Sequence, residues 1–334
     1  MHPININLLI LIIILIIFNY LIFIKYKKIS SILNLFDYQK KNEKINQKIG
    51  YPIGGIILFF NILIVFIFEF FFKFRIFMIE DNQLWIFFFG SISIFLVGFF
   101  DDKFNLSPNK KLILLFLIFY FLLVFDSSLQ ITELRFSILS KTLYLELFSK
   151  FVTVFFLLLF LNAFNMFDGI NLQSGLYSII VILFSFFFIV KINIYFFLLL
   201  FLFFFIYFNY KFNLFLGNSG SLLIAYIIGY YFIKFYNMNL IKYSEEIYIY
   251  MCIPGLDMFR LFITRIMKKK NPFKKDLFHI HHLILKKYNL PDTIFKIQSC
   301  IFFTLLSAYF ISIQLAILFS LLSYLYMFFK YSRN

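Results

Sequence analysis

Apolar runs of about 20 residues recur along the whole chain, and this repeat constrains the fold more than any other feature. ILIIILIIFNYLIFI near the start and LWIFFFGSISIFLVGFF further on are two of them. As an α-helix, such a run crosses the roughly 30 Å of hydrocarbon in a bilayer. The mean hydropathy of +0.92 is far above what the core of a soluble protein requires. The sequence therefore predicts an all-α polytopic membrane protein, organised as one domain over residues 1–334.

The runs predict eleven spans, at residues 4–24, 51–71, 84–100, 112–126, 151–166, 172–190, 193–209, 219–236, 247–264, 293–310 and 311–329. The first run is too long for a signal-peptide core and lacks a cleavage site, so we expect a retained helix. With the N-terminus outside, the inner segments carry roughly three times as many Lys and Arg as the outer ones. This favours an outer N-terminus and a cytoplasmic C-terminus. Cys252 and Cys300 lie in apolar runs, so no disulfide framework is expected.

Five polar clusters interrupt the apolar background, and all five fall on the predicted inner side. They are NQKIGYPIGG (46–55), DDKFNLSPNKK (101–111), NAFNMFDGIN (162–171), FLGNSGS (215–221) and KKDLFHIHH (274–282). Polar groups at a membrane boundary are costly unless they are solvated, paired or used. We therefore expect the loops 25–50, 101–111, 162–171, 210–218 and 265–292 to form one site that faces the cytoplasm.

Asp101 and Asp102 stand side by side at the end of a predicted span. Adjacent carboxylates repel, and an acid opposes the dipole at a helix C-terminus. Mg²⁺, which prefers carboxylate oxygens and substrate phosphates, removes both penalties. Asn105 offers a further amide oxygen. The alternative is a pair of solvated acids that cap the span.

Two further clusters have polar residues at regular positions. Asn162, Asn165, Asp168 and Asn171 recur every three residues. This spacing predicts either one face of a helix or the lining of a re-entrant turn, and the alternative is an Asn-rich loop. FLGNSGS is typical of a turn that opens a helix, where backbone N–H groups receive an anion, although such turns are also common in loops.

The last cluster contains three of the chain's four histidines, His279, His281 and His282. Zinc binding is one interpretation, but no neighbouring Cys or HExxH pattern supports it. Binding of an anionic substrate or acid–base catalysis is the other. Arg260, Arg265 and the lysines at 268–270 lie just upstream and favour an anion, while the lysine run also suits anionic lipid.

Together these motifs resemble the polyprenyl-phosphate N-acetylhexosamine-1-phosphate transferases, the glycosyltransferase family 4 that includes relatives of phospho-MurNAc-pentapeptide translocase. GFFDDKFN looks like the family's aspartate pair, and NAFNMFDGINL is similar to its Asn-x-x-Asn-x-x-Asp-Gly motif. FLGNSGS resembles Phe-Leu-Gly-Asp-x-Gly-Ser. PGLDMFRLFITRIMKKKNPFKKDLFHIHHLI resembles the C-terminal Asp-x-x-Arg and His-Ile-His-His block. The His-Ile-His-His form is typical of the branch that makes lipid-linked GlcNAc for surface polysaccharide such as O-antigen.

The resemblance implies a reaction in which undecaprenyl phosphate and a UDP-N-acetylhexosamine give undecaprenyl-diphospho-N-acetylhexosamine and UMP. It implies Mg²⁺, or Mn²⁺ in its place, as cofactor. It also implies a location in the bacterial inner membrane with the site facing the cytoplasm. The expected partners are the two substrates and the bilayer, without nucleic acid, and a homodimer is compatible with the resemblance.

The resemblance also implies roles for individual residues. Asp101 corresponds to the acid that deprotonates or positions the lipid phosphate, and Asp102 and Asp168 to acids at the metal and nucleotide site. Lys111 corresponds to a phosphate-holding lysine. The residues implied in sugar-nucleotide recognition are Asn165, Asn171, Arg265, His279, His281 and His282. The implied metal ligands are Asp102, Asp168 and Asn218.

Two positions depart from the family pattern. Asn218 stands where relatives carry a metal-binding Asp, so the site loses one negative charge and should bind metal more weakly. Gln47 stands near a position that is often His. Three alternatives stay open: the same reaction with another UDP-sugar, a catalytically silent homologue, and a transporter that uses intramembrane acids as an ion path.

Overall fold

The computed structural model describes residues 6–38, 49–73, 76–77, 79–187, 193–272 and 277–332. Residues 46–48 of the first polar cluster, which include Gln47, and residues 274–276 of the last one lie outside the described residues.

Helices make up most of the described chain. They are α1 (Ile6–Ile24), α2 (Tyr26–Leu33), α3 (Gly54–Phe72), α4 (Asp81–Phe104), α5 (Pro108–Phe125), α6 (Ser149–Phe167), α7 (Gln173–Ser185), α8 (Asn193–Phe212), α9 (Gly217–Asn237), α10 (Ser244–Tyr250), α11 (Cys252–Met267), α12 (Ile280–Leu285), α13 (Leu290–Phe310) and α14 (Ile313–Ser332). The strands are β1 (Asp37–Tyr38), β2 (Ile49–Gly50), β3 (Glu133–Phe136) and β4 (Lys141–Tyr144), paired antiparallel as β1–β2 and β3–β4.

The fold class is confirmed as an all-α polytopic membrane protein. Within the described ranges, eight helices are long and apolar enough to cross a membrane, or nine if a bent pair counts as one span. Eleven spans were predicted. The difference arises at α7, which has only 13 residues, and at α9, which is not among those helices. The orientation of the chain stays a prediction.

The predicted span 247–264 is two helices rather than one. α10 and α11 meet at an angle of 83° on either side of Met251. Pro254 lies in the first turn of α11, where its missing N–H removes no hydrogen bond within that helix. A proline at this position lets α11 begin but prevents α10 from continuing unbroken through it.

The first of two compact units comprises residues 1–106 and 189–223. α1 packs on α3 and α8, and α3 packs on α4. Asn19 of α1 and Asn61 of α3 exchange amide hydrogen bonds of 2.8 and 2.9 Å, and each amide also donates to a carbonyl of its own helix. These buried side chains therefore join two spans without leaving an unpaired donor.

The second unit comprises residues 107–188 and 224–334. α6 packs against α5 and α11, and α13 packs along α14 and against α7. The carboxylate of Asp126, at the end of α5, forms a buried ion pair of 3.2 Å with Lys234 of α9. The hairpin β3–β4 connects α5 to α6. The first residues of α9, 217–223, belong to the first unit and the rest to the second.

Candidate active site

The carboxylate of Asp102, in the last turn of α4, is bound by the first residues of α9. Its Oδ1 accepts hydrogen bonds from the backbone N–H (2.7 Å) and the side-chain amide (2.9 Å) of Asn218. Its Oδ2 accepts from the backbone N–H (3.0 Å) and the hydroxyl (2.8 Å) of Ser219. A carboxylate has about four lone-pair sites, so these four donors occupy Asp102 fully. The anion that the sequence predicts at the FLGNSGS turn is therefore the Asp102 carboxylate of the chain itself.

The local backbone makes this contact possible. Gly217 has a φ of +71°, in the left-handed region that favours glycine, and a Cβ there would lie 2.6 Å from Asp102 Oδ2. Gly98, one turn before Asp102, lies against the backbone of Ser219, where a Cβ would come within 2.3 Å of the Ser219 Cα. Both glycines allow α4 and the start of α9 to approach at backbone distance. The positive end of the α9 dipole then meets the carboxylate.

The first polar cluster holds the segment that precedes α9. The backbone N–H of Phe215 donates to Tyr51 O at 2.9 Å, and the N–H of Gly54 donates to Phe215 O at 2.9 Å. Gly55 donates to Leu216 O at 2.8 Å. Within the first unit, the structure thus brings together three of the five clusters, those at residues 49–55, 101–105 and 215–221.

Asp101 precedes Asp102 and is buried, with only 3% of its surface exposed. Its backbone carbonyl accepts the N–H of Asn105 at 2.9 Å, and Asn105 ends α4 with a φ of 51°. Asn105 was predicted as a further oxygen ligand. In the structure its backbone forms the C-terminal cap of the helix, which left-handed Asn residues commonly do.

In the second unit, Asp168 directly follows the last residue of α6. Its Oδ1 accepts a short hydrogen bond from the hydroxyl of Ser174 in the first turn of α7. Only two of the four regularly spaced polar residues, Asn162 and Asn165, lie on the helix. Asp168 and Asn171 lie in the turn that joins α6 to α7. The three-residue spacing therefore spans a helix end and a turn.

The His-Ile-His-His cluster packs onto that turn. His281 is fully buried, and a Cβ on Gly169 would lie 2.1 Å from its Nε2. Its Nδ1 is 3.4 Å from the amide of Gln173, and within the described part of the chain its Nε2 has no hydrogen-bond partner. Burial lowers the pKa of His281 well below its usual value, and the nearby His282 and His279 lower it further. His281 is therefore neutral at physiological pH.

A carboxylate that the sequence interpretation did not select as a site residue organises His279. Asp257 Oδ2 is 2.9 Å from His279 Nδ1, and Asp257 Oδ1 accepts from Arg260 Nη2 (2.8 Å) and from the Tyr324 hydroxyl (3.0 Å). The backbone N–H of Ile280 also donates to this carboxylate at 3.2 Å. Asp257 is 2% exposed. A buried charge with this many partners fixes the orientation of the His279 ring.

The remaining predicted residues lie at helix ends of the second unit. Lys111 is buried in the first turn of α5. Arg265 is buried in the last turn of α11, and its Nη1 donates to Pro272 O at 2.6 Å. The ring of His282 is 4.3 Å from that of His281. The second unit thus brings together the clusters at residues 162–171 and 279–282.

The described ranges contain no group of three or more His, Cys, Asp or Glu side chains arranged to hold a metal ion. Mg²⁺ needs fewer protein ligands, since it binds through one or two carboxylates together with substrate phosphates. The oxygens of Asp102 and Asn218 suit this hard cation. A metal bound at Asp102 must replace at least one of the four hydrogen bonds that its carboxylate accepts.

Comparison with known proteins shows a similarity to one family. The model of glycosyl transferase family 4 matches residues 84–236, a range that includes the aspartate pair, the NAFNMFDGIN motif and FLGNSGS. The chain is therefore similar to glycosyl transferase family 4 over these residues. This match agrees with the resemblance drawn from the ordered motifs.

Three individual relatives from different bacteria share the same protein name. A Thermotoga maritima protein named undecaprenyl-phosphate alpha-N-acetylglucosaminyl 1-phosphate transferase is 29% identical over 251 residues, which cover 74% of this chain and 72% of the relative. A Salmonella typhi protein of the same name is 25% identical over 57% of this chain, which spans only 55% of that relative. A Pasteurella multocida protein of that name is 33% identical over 24% of this chain. The shared name favours the transferase over the transporter.

Asp257, Ser219 and Gln173 are candidate site residues that the sequence alone did not indicate. Asp257 was part of the quoted Asp-x-x-Arg motif, and its place in an otherwise apolar run was the available signal. Ser219 belonged to FLGNSGS but carries no charge. No local signal pointed to Gln173, because its contact with His281 joins positions 108 residues apart.

Proposed function

We propose that this chain is a member of glycosyl transferase family 4 and that it transfers N-acetylhexosamine-1-phosphate from a UDP-sugar to undecaprenyl phosphate. In this reaction an oxygen of the lipid phosphate bonds to the β-phosphorus of the UDP-sugar. The bond between that phosphorus and the bridging oxygen breaks, and UMP leaves with the bridging oxygen. The product is a lipid diphosphate that begins a surface glycan. GlcNAc is the expected sugar, because the three relatives described above are named for it.

One structural observation carries the proposal. The Asp102 carboxylate joins GFFDDKFN to FLGNSGS across 116 residues of sequence through four hydrogen bonds. Two motifs that the sequence shares with phosphotransferases are thereby assembled at one point of the first unit.

Side chains of the protein are proposed to position the two substrates and to supply the charges that bind their phosphates. Asp101, next to the anchored Asp102, is the group proposed to orient the lipid phosphate and accept its proton. Arg265 and His279 are proposed to bind the sugar nucleotide, because a guanidinium and an oriented imidazole suit phosphate oxygens. Direct displacement needs no covalent enzyme intermediate, and catalysis then rests on alignment and electrostatic stabilisation.

Mg²⁺ is the proposed cofactor, with Asp102 and Asn218 as residues that would hold it. Bound there, the cation would neutralise the charge of the two phosphate reactants. Asn218 offers an amide oxygen where relatives of this family carry an acid, so we expect weaker metal binding than a carboxylate would give. The proposed location is the bacterial inner membrane, with the site facing the cytoplasm.

The test is release of UMP by the purified full chain. The protein is incubated with Mg²⁺, undecaprenyl phosphate and, in turn, UDP-GlcNAc, UDP-GalNAc, a UDP-deoxy-HexNAc and UDP-MurNAc-pentapeptide. We expect UMP with UDP-GlcNAc and only when undecaprenyl phosphate is present. The variant Asp101→Asn serves as the matched control and should release none.

UMP from a different sugar of the panel would correct the substrate and leave the reaction class intact. Absence of UMP with every sugar, from protein that is monodisperse and thermally stable, would contradict the proposed function. Normal turnover in Asp101→Asn would remove that carboxylate from the mechanism.

A further inference from the structure

The hairpin β3–β4 and the short turn after it present an apolar surface between α5 and α6. Its side chains are 54% exposed or more, from Ile138 and Leu143 at 54% to Leu147 at 96%. The other members are Leu139 and Phe148. We call these five residues the hairpin patch. A contiguous group of large apolar side chains at this exposure indicates a contact surface, because single exposed residues are common but clustered ones are not.

The strand register gives the hairpin two different faces. Arg135 pairs with Thr142, and Leu134 pairs with Leu143 on the opposite face, since successive side chains of a strand alternate. On the Arg135 face, Arg135 itself is bound to the end of α9, whereas Tyr144 of β4 is 70% exposed. The Arg135 guanidinium lies 4.1 Å from the Tyr236 ring and donates to the Tyr236 carbonyl at 2.5 Å. The Leu134–Leu143 face is therefore the one directed away from this contact.

The hairpin is held in place at both ends. The N–H groups of Ser137 and Ile138, at its tip, donate to Glu245 Oε1 at 2.8 and 3.2 Å. At its base, the Ser149 hydroxyl donates to Ile131 O at 2.6 Å. The hairpin patch therefore lies on an element whose position is fixed by hydrogen bonds at both ends.

The patch continues into the lipid-facing side of α6. Leu147, Phe151, Phe155 and Leu159 recur every four residues and are 96, 62, 53 and 41% exposed. This spacing places them on one face of a helix, and the segment Glu146–Phe167 is long and apolar enough to cross a membrane. The exposed stripe of such a helix faces acyl chains. Because the stripe begins at Leu147, the patch lies where the lipid-facing surface begins.

We propose that the hairpin patch lies in the interfacial layer of the bilayer leaflet in which α6 begins. Apolar and aromatic side chains favour this layer, whereas the bound Arg135 side chain stays with the protein. Lys141 and Lys150 border the patch and are exposed, so their long side chains can reach lipid phosphates. The hairpin would anchor the α5–α6 connection at a fixed depth. This proposal does not depend on the transferase activity.

A single tryptophan tests the depth directly, because Trp85 is the only one in the chain. In a Trp85→Phe background, Leu143→Trp places the probe on the patch. Thr142→Trp, one residue earlier on the Arg135 face, is the matched control. Both proteins are reconstituted in phosphatidylcholine–phosphatidylglycerol vesicles, with or without bromine near the head-group end of the acyl chains. We expect the brominated lipid to quench Leu143→Trp at least about twofold more than Thr142→Trp.

Equal quenching of the two probes would overturn the proposal, because the two faces of the hairpin would then contact lipid to the same extent. A blue-shifted Leu143→Trp that brominated lipid does not quench would also overturn it, since a protein surface such as a second copy would cover the patch.

A second measurement avoids the bulk of tryptophan. Cys252 and Cys300 are both buried, so a spin label reacts at an introduced Leu139→Cys or Ser140→Cys. In the same vesicles, Leu139→Cys should show the higher ratio of oxygen to nickel-chelate collisions. A ratio equal to that of a label in water at both positions would overturn the proposal.

Discussion

Asp257 is the buried acceptor that orients His279. Substituting it tests whether it positions a substrate-binding group or only supports the fold. Asp257→Asn keeps the shape but removes the charge that faces His279, Arg260 and Tyr324. A hydrogen bond to a charged group contributes about 1.5–3 kcal/mol, so we expect the KM for UDP-GlcNAc to rise by about tenfold or more. The KM for undecaprenyl phosphate should stay unchanged. Steady-state kinetics with each substrate varied in turn give both values.

Asp292→Asn is the control for that substitution, because Asp292 is exposed in the first turn of α13. It should leave both KM values unchanged. If Asp257→Asn lowers kcat and thermal stability but leaves the KM for UDP-GlcNAc at its original value, Asp257 supports the fold and does not position a substrate-binding group.

Substitutions of Asn218 test the proposed metal site most directly. Its amide donates to Asp102 Oδ1 at 2.9 Å, so Asn218→Asp replaces a donor with a second carboxylate at that distance. The two charges repel, and a bound cation relieves the repulsion. We expect the Tm of Asn218→Asp to fall in EDTA and to recover in Mg²⁺. Differential scanning fluorimetry in detergent measures this shift.

Asn218→Ala removes the same hydrogen bond without adding charge. Its Tm should be lowered to a similar extent in EDTA and in Mg²⁺. If Mg²⁺ fails to raise the Tm of Asn218→Asp above that of Asn218→Ala, position 218 does not contact the metal.

At the scale of elements, the contact between α4 and α9 depends on Gly98. A Cβ at this position would lie 2.3 Å from the Cα and 2.6 Å from the N of Ser219, and backbone atoms have little room to move. Gly98→Ala should therefore separate α4 from α9 and weaken the Asp102 hydrogen bonds, at a cost of about 1–3 kcal/mol. A lower Tm together with a lower rate of UMP release is the expected outcome.

Gly255→Ala is the matched control, since a Cβ on this residue of α11 meets nothing within 4 Å. It should keep or slightly raise the Tm, because alanine favours a helix more than glycine does. A Tm for Gly98→Ala equal to that of the original chain would show that the two helices can move apart without loss.

The helices themselves could be predicted from the sequence, and the irregular elements could not. Each predicted span overlaps a helix, or the bent pair at 247–264, because length and hydropathy are local properties. The hairpin β3–β4 was missed, since its apolar residues resemble the rest of the chain. The bend at Met251 depends on Pro254, whose position within the first turn of a helix becomes evident only once the helix boundary is known.

Across the whole molecule, the polar clusters indicated a resemblance to a family but did not predict which residues contact each other. The sequence predicted an anion at FLGNSGS, and the structure shows that Asp102 occupies that position. That pairing links residues 116 positions apart, so no local pattern contains it. Likewise, His281 was predicted as a substrate-binding residue, and its full burial against Gly169 results from packing. The site roles of these residues stay predictions until they are tested by substitution.

In the proposed reaction the sugar leaves UDP together with one phosphate. The most direct test of this reaction uses UDP-GlcNAc with radioactive phosphorus in the β-phosphate, incubated with the full chain, Mg²⁺ and undecaprenyl phosphate. We expect the label to enter the lipid extract in an amount equal to the UMP released, and we expect omission of undecaprenyl phosphate to abolish both. Label that stays in the aqueous phase while GlcNAc itself enters the lipid, or no transfer of either, would contradict the proposed reaction.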